Sequence, residues 1–175
     1  MWWSEPDRSR RRLGLLVVMA LPALASCGLR PIYGPQQEAR TVPELAAIEV
    51  AGQGGARGQF FRNYLLDELN PSGTVVAPRY DLEVQLLEEQ TDLAIQLNDT
   101  ATRRNLILGA VFSLKRKADQ QIVYSSATRR VVSFNVKSDP FATLVAEQDA
   151  ERRAAREVAR QIRTMLSLYF SEQKA

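Results

Sequence analysis

The segment NLILGAVFSLKRKADQQIVYSSATRRVVSFNV, residues 105–136, decides the fold class of this chain. Apolar residues occupy alternate positions before the KRK group and again near the end of the segment, which is typical of strands with one buried face. The polar connection ADQ, residues 118–120, separates the two stretches, so the segment predicts a β-hairpin. In its second half Ser126, Thr128 and Arg130 fall on the apolar face, which predicts either a bulge or a sheet that extends beyond its core.

Three further elements are predicted ahead of the hairpin. A short strand is expected from about Leu45 to Val50, and apolar residues at helical spacing predict a helix over 60–69 that ends at NPSG. Alternation from Tyr80 onward predicts a half-buried strand. The polar stretch 88–102 fits either a continuation of that strand or a loop.

A long amphipathic helix is predicted after the hairpin. Asp139 is placed to cap it and Pro140 to occupy its first position, where a missing N–H costs nothing. The helix should run for about 25 to 30 residues. Its apolar stripe comprises Leu144, Ala155, Val158, Ile162, Met165, Leu166 and Tyr169. This order of elements predicts an α+β two-layer sandwich, in which a mixed or antiparallel sheet of about four strands carries two helices on one face.

The N-terminus has the pattern of an exported protein. Residues 1–26 combine an arginine-rich head with a short apolar run, which is typical of a signal peptide. Leu24 to Cys27 resemble a bacterial lipobox, which implies acylation of Cys27 and attachment to a membrane; the alternative is that Cys27 is a small buried residue. Gly28, where an aspartate would resemble an inner-membrane retention signal, favours the outer membrane. We therefore expect a signal peptide at 1–26, a lipidated N-terminus and tether at 27–43, and one domain at 44–175.

Composition argues against an enzyme. The chain contains no histidine and a single cysteine, so histidine-based metal sites and Ser-His or Cys-His catalysis are disfavoured. Gly52, Gly54 and Gly58 resemble a dinucleotide fingerprint, but Arg57 stands where the third glycine belongs. We interpret these glycines as a turn and expect no catalytic residues, no metal, no cofactor and no nucleic acid partner.

Charge is unevenly distributed along the chain. Residues 36–100 hold four arginines and eleven acidic residues, a net charge of −7, whereas residues 101–137 hold eight basic residues and one acid, a net charge of +7. Such segregation favours an anionic partner on one surface, or it reflects opposite charges that face each other within the fold. The sequence alone leaves both interpretations open.

Several segments together resemble the LPS-assembly lipoprotein family LptE of alphaproteobacteria. They are CGLRPIYG at 27–34, FFRNYLLDELN at 60–70, YDLEVQL at 80–86, the basic hairpin, and DPFATLVAEQDAERRA at 139–154 with the helix that follows it. The resemblance implies a sheet with two helices that acts as a plug inside the outer-membrane β-barrel LptD, helps that barrel assemble and assists lipopolysaccharide insertion. The alternative is an accessory lipoprotein of another lipid-transport or barrel-assembly complex of the cell envelope.

Lipopolysaccharide carries acidic groups, so basic side chains are its candidate ligands. The candidates are Lys115, Arg116 and Lys117 near the hairpin turn, Arg129 and Arg130 on the returning strand, and Arg103 and Arg104 at the start of the first strand. We expect the turn cluster, Lys115–Lys117, to contribute first. The alternative is that these residues only discourage edge pairing of the strands.

Overall fold

The structure is a computed structural model, and it describes residues 42–52, 54–92 and 103–173. The predicted signal peptide, Cys27 and most of the predicted tether lie outside the described residues. Residues 42–46 form a short helical segment. The longer elements are β1 (Ile48–Val50), α1 (Gly55–Leu69), β2 (Tyr80–Asp92), β3 (Arg103–Arg116), β4 (Ile122–Asn135) and α2 (Pro140–Glu172).

The four strands form one mixed sheet in the order β1-β2-β3-β4. Strands β1 and β2 are parallel and are joined through α1, because parallel neighbours need a crossover connection. The pairs β2–β3 and β3–β4 are antiparallel. Helix α2 packs on β3 and β4, and α1 packs on α2 and β1. The predicted α+β sheet with two helices is therefore confirmed.

The core lies between the sheet and the two helices. Alternate residues of β3, from Leu106 to Leu114, point into it, as do Leu82 and Val84 of β2. Phe61 and Leu65 face it from α1, and Ile162 and Leu166 face it from α2. At the end of the sheet where β2 begins, Tyr80 contacts Phe170 and Tyr124 stacks on Tyr169, with ring centroids 5.3 and 4.9 Å apart. The opposite face of the sheet carries no helix among the described residues and is called the open face below.

The β3–β4 hairpin is confirmed. Its pairing is continuous through residues 126–130, and the register shift lies beside the turn, between Leu114 and Lys115. Ser126, Thr128 and Arg130 are half-buried on the face that α2 covers. Of the two predicted alternatives, a bulge at these residues is therefore excluded, and polar side chains here extend the sheet past the apolar core.

Three details differ from the sequence-based predictions. The strand predicted from Leu45 begins only at Ile48, because the buried Leu45 belongs to the helical segment 42–46 and the buried Ala47 forms the turn after it. Helix α2 has 33 residues and is therefore longer than the 25 to 30 predicted. Leu144 is 49% exposed and does not belong to the buried stripe. Strand β2 continues through Asp92, which settles the first five residues of the ambiguous stretch 88–102; residues 93–102 lie outside the described part.

Candidate binding surfaces

The turn cluster is occupied by ion pairs within the chain. Lys115 Nζ lies 2.6 Å from Glu83 Oε1, and Arg116 contacts Asp119 at 3.1 Å. Lys117 Nζ lies 2.5 Å from Glu49 Oε2 and 3.2 Å from Asp81 Oδ1. All three cations predicted to meet an anionic ligand first therefore already have carboxylate partners.

Strand register explains this pairing. Asp81 of β2 stands opposite Lys115 of β3, and the backbone N–H of Lys117 donates to the carbonyl of Arg79 at 2.9 Å. The hydrogen bond from Lys117 is the main cause that lowers the pKa of Glu49, and the bonds to Glu49 and Asp81 raise the pKa of Lys117. At this end of the sheet, the positive segment of the chain neutralises the negative one.

Of the two basic residues at the start of β3, only Arg104 has an ion pair among the described residues. Arg104 Nε lies 2.7 Å from Asp92 Oδ1, its cross-strand neighbour on β2. Arg103 stands opposite Asn135 and has no ion pair within the described residues. The two arginines lie at least eleven residues, or roughly 36 Å of strand, from the turn cluster, so the seven candidates do not form one site.

Arg129 and Arg130 lie on opposite faces of β4, because successive strand residues alternate. Arg130 is half-buried under α2 and donates to Gln161 Oε1 at 2.5 Å. Arg129 is exposed on the open face and stands opposite Gly109 of β3. No ion pair involves the Arg129 guanidinium among the described residues. Arg129 is therefore the basic candidate in the middle of the sheet that is available to a ligand.

The open face around Arg129 is apolar and has a shallow depression. Leu87, Val111 and Val131 are 55%, 43% and 52% exposed on it. Gly109 has no side chain there, and a Cβ added to it would touch Leu87 Cβ at 3.6 Å. Around Arg129, the open face thus presents a guanidinium with no ion pair in the described part of the chain beside exposed aliphatic side chains.

A second surface is a groove of about 620 Å³ between the N-terminal halves of α1 and α2. We call it the interhelical groove. Leu86 of β2 and Leu106 and Leu108 of β3 lie at its base. Its sides include Phe60 of α1 and Leu144 of α2, which are 59% and 49% exposed. Apolar side chains line the groove and remain accessible.

The rim of the interhelical groove is rich in carboxylates. Arg57 of α1 bridges Glu88 and Glu151 at 3.3 and 2.8 Å. Burial is the largest cause that raises the pKa of Glu151, and the neighbouring charges of Glu88 and Glu147 raise it further. Glu147 accepts a hydrogen bond from Gln90 and has no ion pair within the described residues. Arg152 also lies on the rim, which therefore carries the three carboxylates just named and two cations, Arg57 and Arg152.

The described residues contain no group of side chains suited to hold a metal ion. Within the same ranges, no helix is both long and apolar enough to cross a membrane. Gly52 and Gly54 precede α1, and a Cβ at either would meet nothing within 4 Å; Gly55, with a φ of 76°, begins the helix. Gly58 is buried within α1, so it does not belong to the predicted turn. Arg57 directs its guanidinium to the groove rim, which fits the interpretation of this segment as a structural turn.

A protein-family comparison identifies the domain. The family model described as LptE, lipopolysaccharide-assembly, matches residues 45–166, from the short helical segment before β1 to the C-terminal part of α2. The chain belongs to the LptE family. The LptE match includes β1 to β4, α1, both candidate surfaces and all seven basic candidates.

A solved structure from Caulobacter crescentus shares the fold of this LptE-family chain. A protein from Caulobacter crescentus CB15, described as a lipoprotein, superposes with a TM-score of 0.63 at 23% identity, covering 77% of this chain and 98% of its own. Lipoprotein B from Nitrosomonas europaea gives a TM-score of 0.48 at 13% identity over 71% of this chain and 82% of its own. A minor lipoprotein from Acinetobacter baumannii gives 0.45 at 16% identity over 69% and 90%. No curated protein matches the chain.

Sequence reasoning missed the interhelical groove. Its sides come from two helices that are separated by 70 residues of the chain, and their proximity depends on the tertiary fold. A signal was present: Phe141, Leu144 and Val145 are apolar at helical spacing, yet none of the first ten residues of α2 is buried.

Proposed function

We propose that this LptE-family protein is an outer-membrane lipoprotein that plugs and helps assemble an LptD-type β-barrel and assists lipopolysaccharide transport to the outer leaflet. The observation that supports this function is the family match over 45–166, which covers nearly the whole described domain. In this proposal, acyl chains on Cys27 anchor the protein, residues 27–43 connect the anchor to the fold, and residues 44–175 form the plug. The role is non-enzymatic and needs no cofactor.

The surface of the domain suits a plug. The lumen of a large membrane barrel is polar, so a protein that fills it needs a charged exterior around a stable core. The described surface carries a series of ion pairs on β2, β3 and the outer sides of both helices. Exposed aliphatic residues are concentrated on the open face and near the interhelical groove.

Purification of the lipidated protein from membranes in mild detergent tests the partnership. We expect a large outer-membrane β-barrel of the LptD type to co-purify in a fixed ratio. Recovery of a monodisperse lipoprotein without any barrel would contradict the proposal. Co-purification with a different envelope complex would favour the alternative, an accessory lipoprotein of another lipid-transport or barrel-assembly system.

We propose further that Arg129 is the first of the seven basic candidates to meet lipopolysaccharide. A charge-assisted hydrogen bond to a phosphate or carboxylate needs a cation without a competing partner. Lys115, Arg116, Lys117 and Arg104 have such partners within the chain, whereas Arg129 and Arg103 have no ion pair among the described residues. Of these two, Arg129 is the one beside the exposed Leu87, Val111 and Val131. Its aliphatic surroundings also suit the apolar part of an amphiphile.

The substitution Arg129→Gln tests this contact. We expect weaker binding of purified lipopolysaccharide with an unchanged circular dichroism spectrum. Arg153→Gln is the matched control, because it removes the same charge from an exposed helical site outside the seven candidates. Equal binding by the Arg129 variant and the native protein would remove Arg129 from the proposed site.

A further inference from the structure

Strand β2 has an unpaired stretch along the side that faces β1. Strand β1 pairs only with Tyr80–Leu82. From Leu86 to Asp92, β2 therefore has no strand neighbour on that side within the described residues. We call Leu86–Asp92 the β2 edge. An unpaired edge of this kind presents backbone N–H and C=O groups with which another strand can pair.

Hydrogen bonds at the beginning of β2 show which backbone groups point outward from the β2 edge. The N–H of Ala51 donates to the carbonyl of Leu82 at 3.0 Å, so the backbone polar groups of Leu82 point toward β1. Backbone direction alternates along a strand, so those of Leu86, Glu88 and Gln90 point the same way. Among the described residues, no backbone group on that side hydrogen-bonds to these three.

The residues with outward backbone groups also form one side of the interhelical groove. Leu86 lies at its base and Glu88 on its rim, opposite the exposed Phe60 of α1. Gln90 donates to Glu147 of α2 at 2.7 Å. Side chains of a strand added to the β2 edge would alternate between the groove and the open face. Backbone pairing and apolar burial are thus available at the same place.

A peptide strand complements this surface better than an acyl chain does. An acyl chain in the groove would bury Phe60 and Leu86, but it would cover the outward backbone groups of β2 without bonding to them. A strand supplies apolar side chains and backbone hydrogen bonds together, as in other proteins that bind an extended peptide at a sheet edge. The chemistry of the β2 edge therefore favours a peptide.

Charge restricts the composition of that peptide. The groove rim carries one more carboxylate than it has cations, and Glu147 has no ion pair within the described ranges. On the other face of β2, Glu89 is exposed and also lacks an ion pair in the described part of the chain. A segment with a positive charge compensates these carboxylates.

A second copy of this chain is a poorer occupant. Pairing through the same edge would place the carboxylates of Glu88 and Glu89 beside those of the other copy, and like charges on neighbouring strands destabilise pairing. Pairing of the β2 edge with β4 of a second copy would leave unpaired edges at both ends and build a filament instead of a closed assembly.

We propose that the β2 edge binds an extended segment of another protein as an additional strand. A large apolar side chain of that segment enters the interhelical groove beside Leu86, and a lysine or arginine four residues away, on the same face, pairs with Glu147. The inference goes beyond the proposed function, because it depends neither on lipopolysaccharide nor on which protein supplies the segment.

A synthetic peptide tests the backbone pairing on the full, processed protein in detergent. The probe is a labelled seven-residue peptide with threonine at odd positions and leucine, valine and lysine at the three even positions. We expect saturable binding by fluorescence anisotropy. Two further probes carry N-methyl groups on all even or on all odd residues. One should bind at least about tenfold more weakly and the other as the parent peptide does, because only alternate amides of a strand face its neighbour. Equal binding of the two would overturn the proposal.

Substitutions at Gln90 test the same hydrogen bonds from the protein side. Gln90→Pro removes an outward N–H without removing a bond between β2 and β3, and it should weaken peptide binding about tenfold. Gln90→Thr is the matched control, since it also loses the Gln90 side chain but keeps the N–H. Equal binding by the two variants would show that the peptide does not pair with the backbone. The N-methylated probes decide the question if the proline variant does not fold.

Charge exchange tests the contact with Glu147. Glu147→Lys should weaken binding of the lysine peptide about fivefold, and a peptide with glutamate in place of lysine should recover it. Glu157→Lys is the control, because it makes the same change on α2 outside the groove. A loss that is equal at both positions, or that the exchanged peptide does not recover, would contradict the assigned contact.

Photo-crosslinking in cells identifies the natural occupant. A photo-reactive amino acid at Phe60 should crosslink to another protein, at a segment with an apolar and a basic residue four positions apart. The yield should fall with Gln90→Pro and persist with Gln90→Thr. Crosslinks only within this chain, to a second copy or to lipid would overturn the proposal, as would a protein crosslink that both Gln90 variants leave unchanged.

Discussion

At the scale of single residues, Lys117 shows how a cation near a strand end is paired within the chain. Its ammonium group lies between Glu49 and Asp81, and it lowers the pKa of Glu49. The substitution Lys117→Met should raise the pKa of Glu49 toward its ordinary value of 4.5, because both the hydrogen bond and the nearby positive charge disappear. Carbon-detected NMR titration of the side-chain carboxyl measures this change. An unaltered titration of Glu49 would show that the pair does not form in solution.

The same pair makes a contribution to stability that depends on pH. Because the folded-state pKa of Glu49 is lowered, its contribution is present above the unfolded-state pKa and is lost as the pH falls through the folded-state value. The difference in unfolding free energy between the native protein and Lys117→Met should therefore shrink as the solution is acidified below about pH 4.5. Urea unfolding at pH 7 and pH 3 measures it, and a constant difference would contradict the assignment.

Gly109 is the residue that leaves space beside Arg129. An added Cβ would make an ordinary 3.6 Å contact with Leu87, so Gly109→Val should preserve the fold and gain up to about 1 kcal/mol from its higher strand propensity. The isopropyl group would fill the depression and reduce lipopolysaccharide binding to the open face. Ser113→Val is the control, since it adds a similar group on the same face further along β3. If both variants lost binding equally, the ligand would not bind specifically in this depression.

At the scale of elements, α2 divides into a buried C-terminal part and an unburied N-terminal part. Leu166 is fully buried, whereas Leu144 remains 49% exposed. Leu166→Ala should cost about 2–5 kcal/mol, and the identical change at Leu144 should cost less than about 1 kcal/mol. Chemical denaturation of the two variants tests this contrast. A large cost at Leu144 would show that its end of α2 belongs to the core.

Periodicity in the sequence predicted the longer elements well. Alternation at Leu106, Leu108 and Ala110 predicted β3, because one face of that strand packs on the core. The short strand β1 was predicted too early, since Leu45 and Ala47 are buried on a helical turn and share the spacing of a strand. Three residues carry too little pattern to distinguish the two structures.

At the scale of the whole molecule, the fold explains the separation of charge along the chain. The sequence allowed the positive segment to meet either an anionic ligand or the negative segment. Strand register decides between them residue by residue: Lys115 pairs with Glu83, its diagonal neighbour on β2, whereas Arg129 stands opposite Gly109. Both residues are basic and lie on strands, and they differ in whether a carboxylate lies beside them on the neighbouring strand. Composition could therefore predict that charges segregate, but the candidate site required the strand pairing.

The parallel pairing of β1 with β2 has a consequence for the order of folding. A tight turn joins β3 to β4, whereas all of α1 and its connections separate β1 from β2. Pairing β1 with β2 therefore costs more chain entropy than pairing β3 with β4. In pulse-labelled hydrogen exchange during refolding, amides of β3 and β4 should become protected before those of β1; protection of β1 first would reverse this order. The β1 side of β2 would then remain an unpaired strand edge while the hairpin assembles, and during this interval it is the part of the sheet most exposed to pairing with another chain.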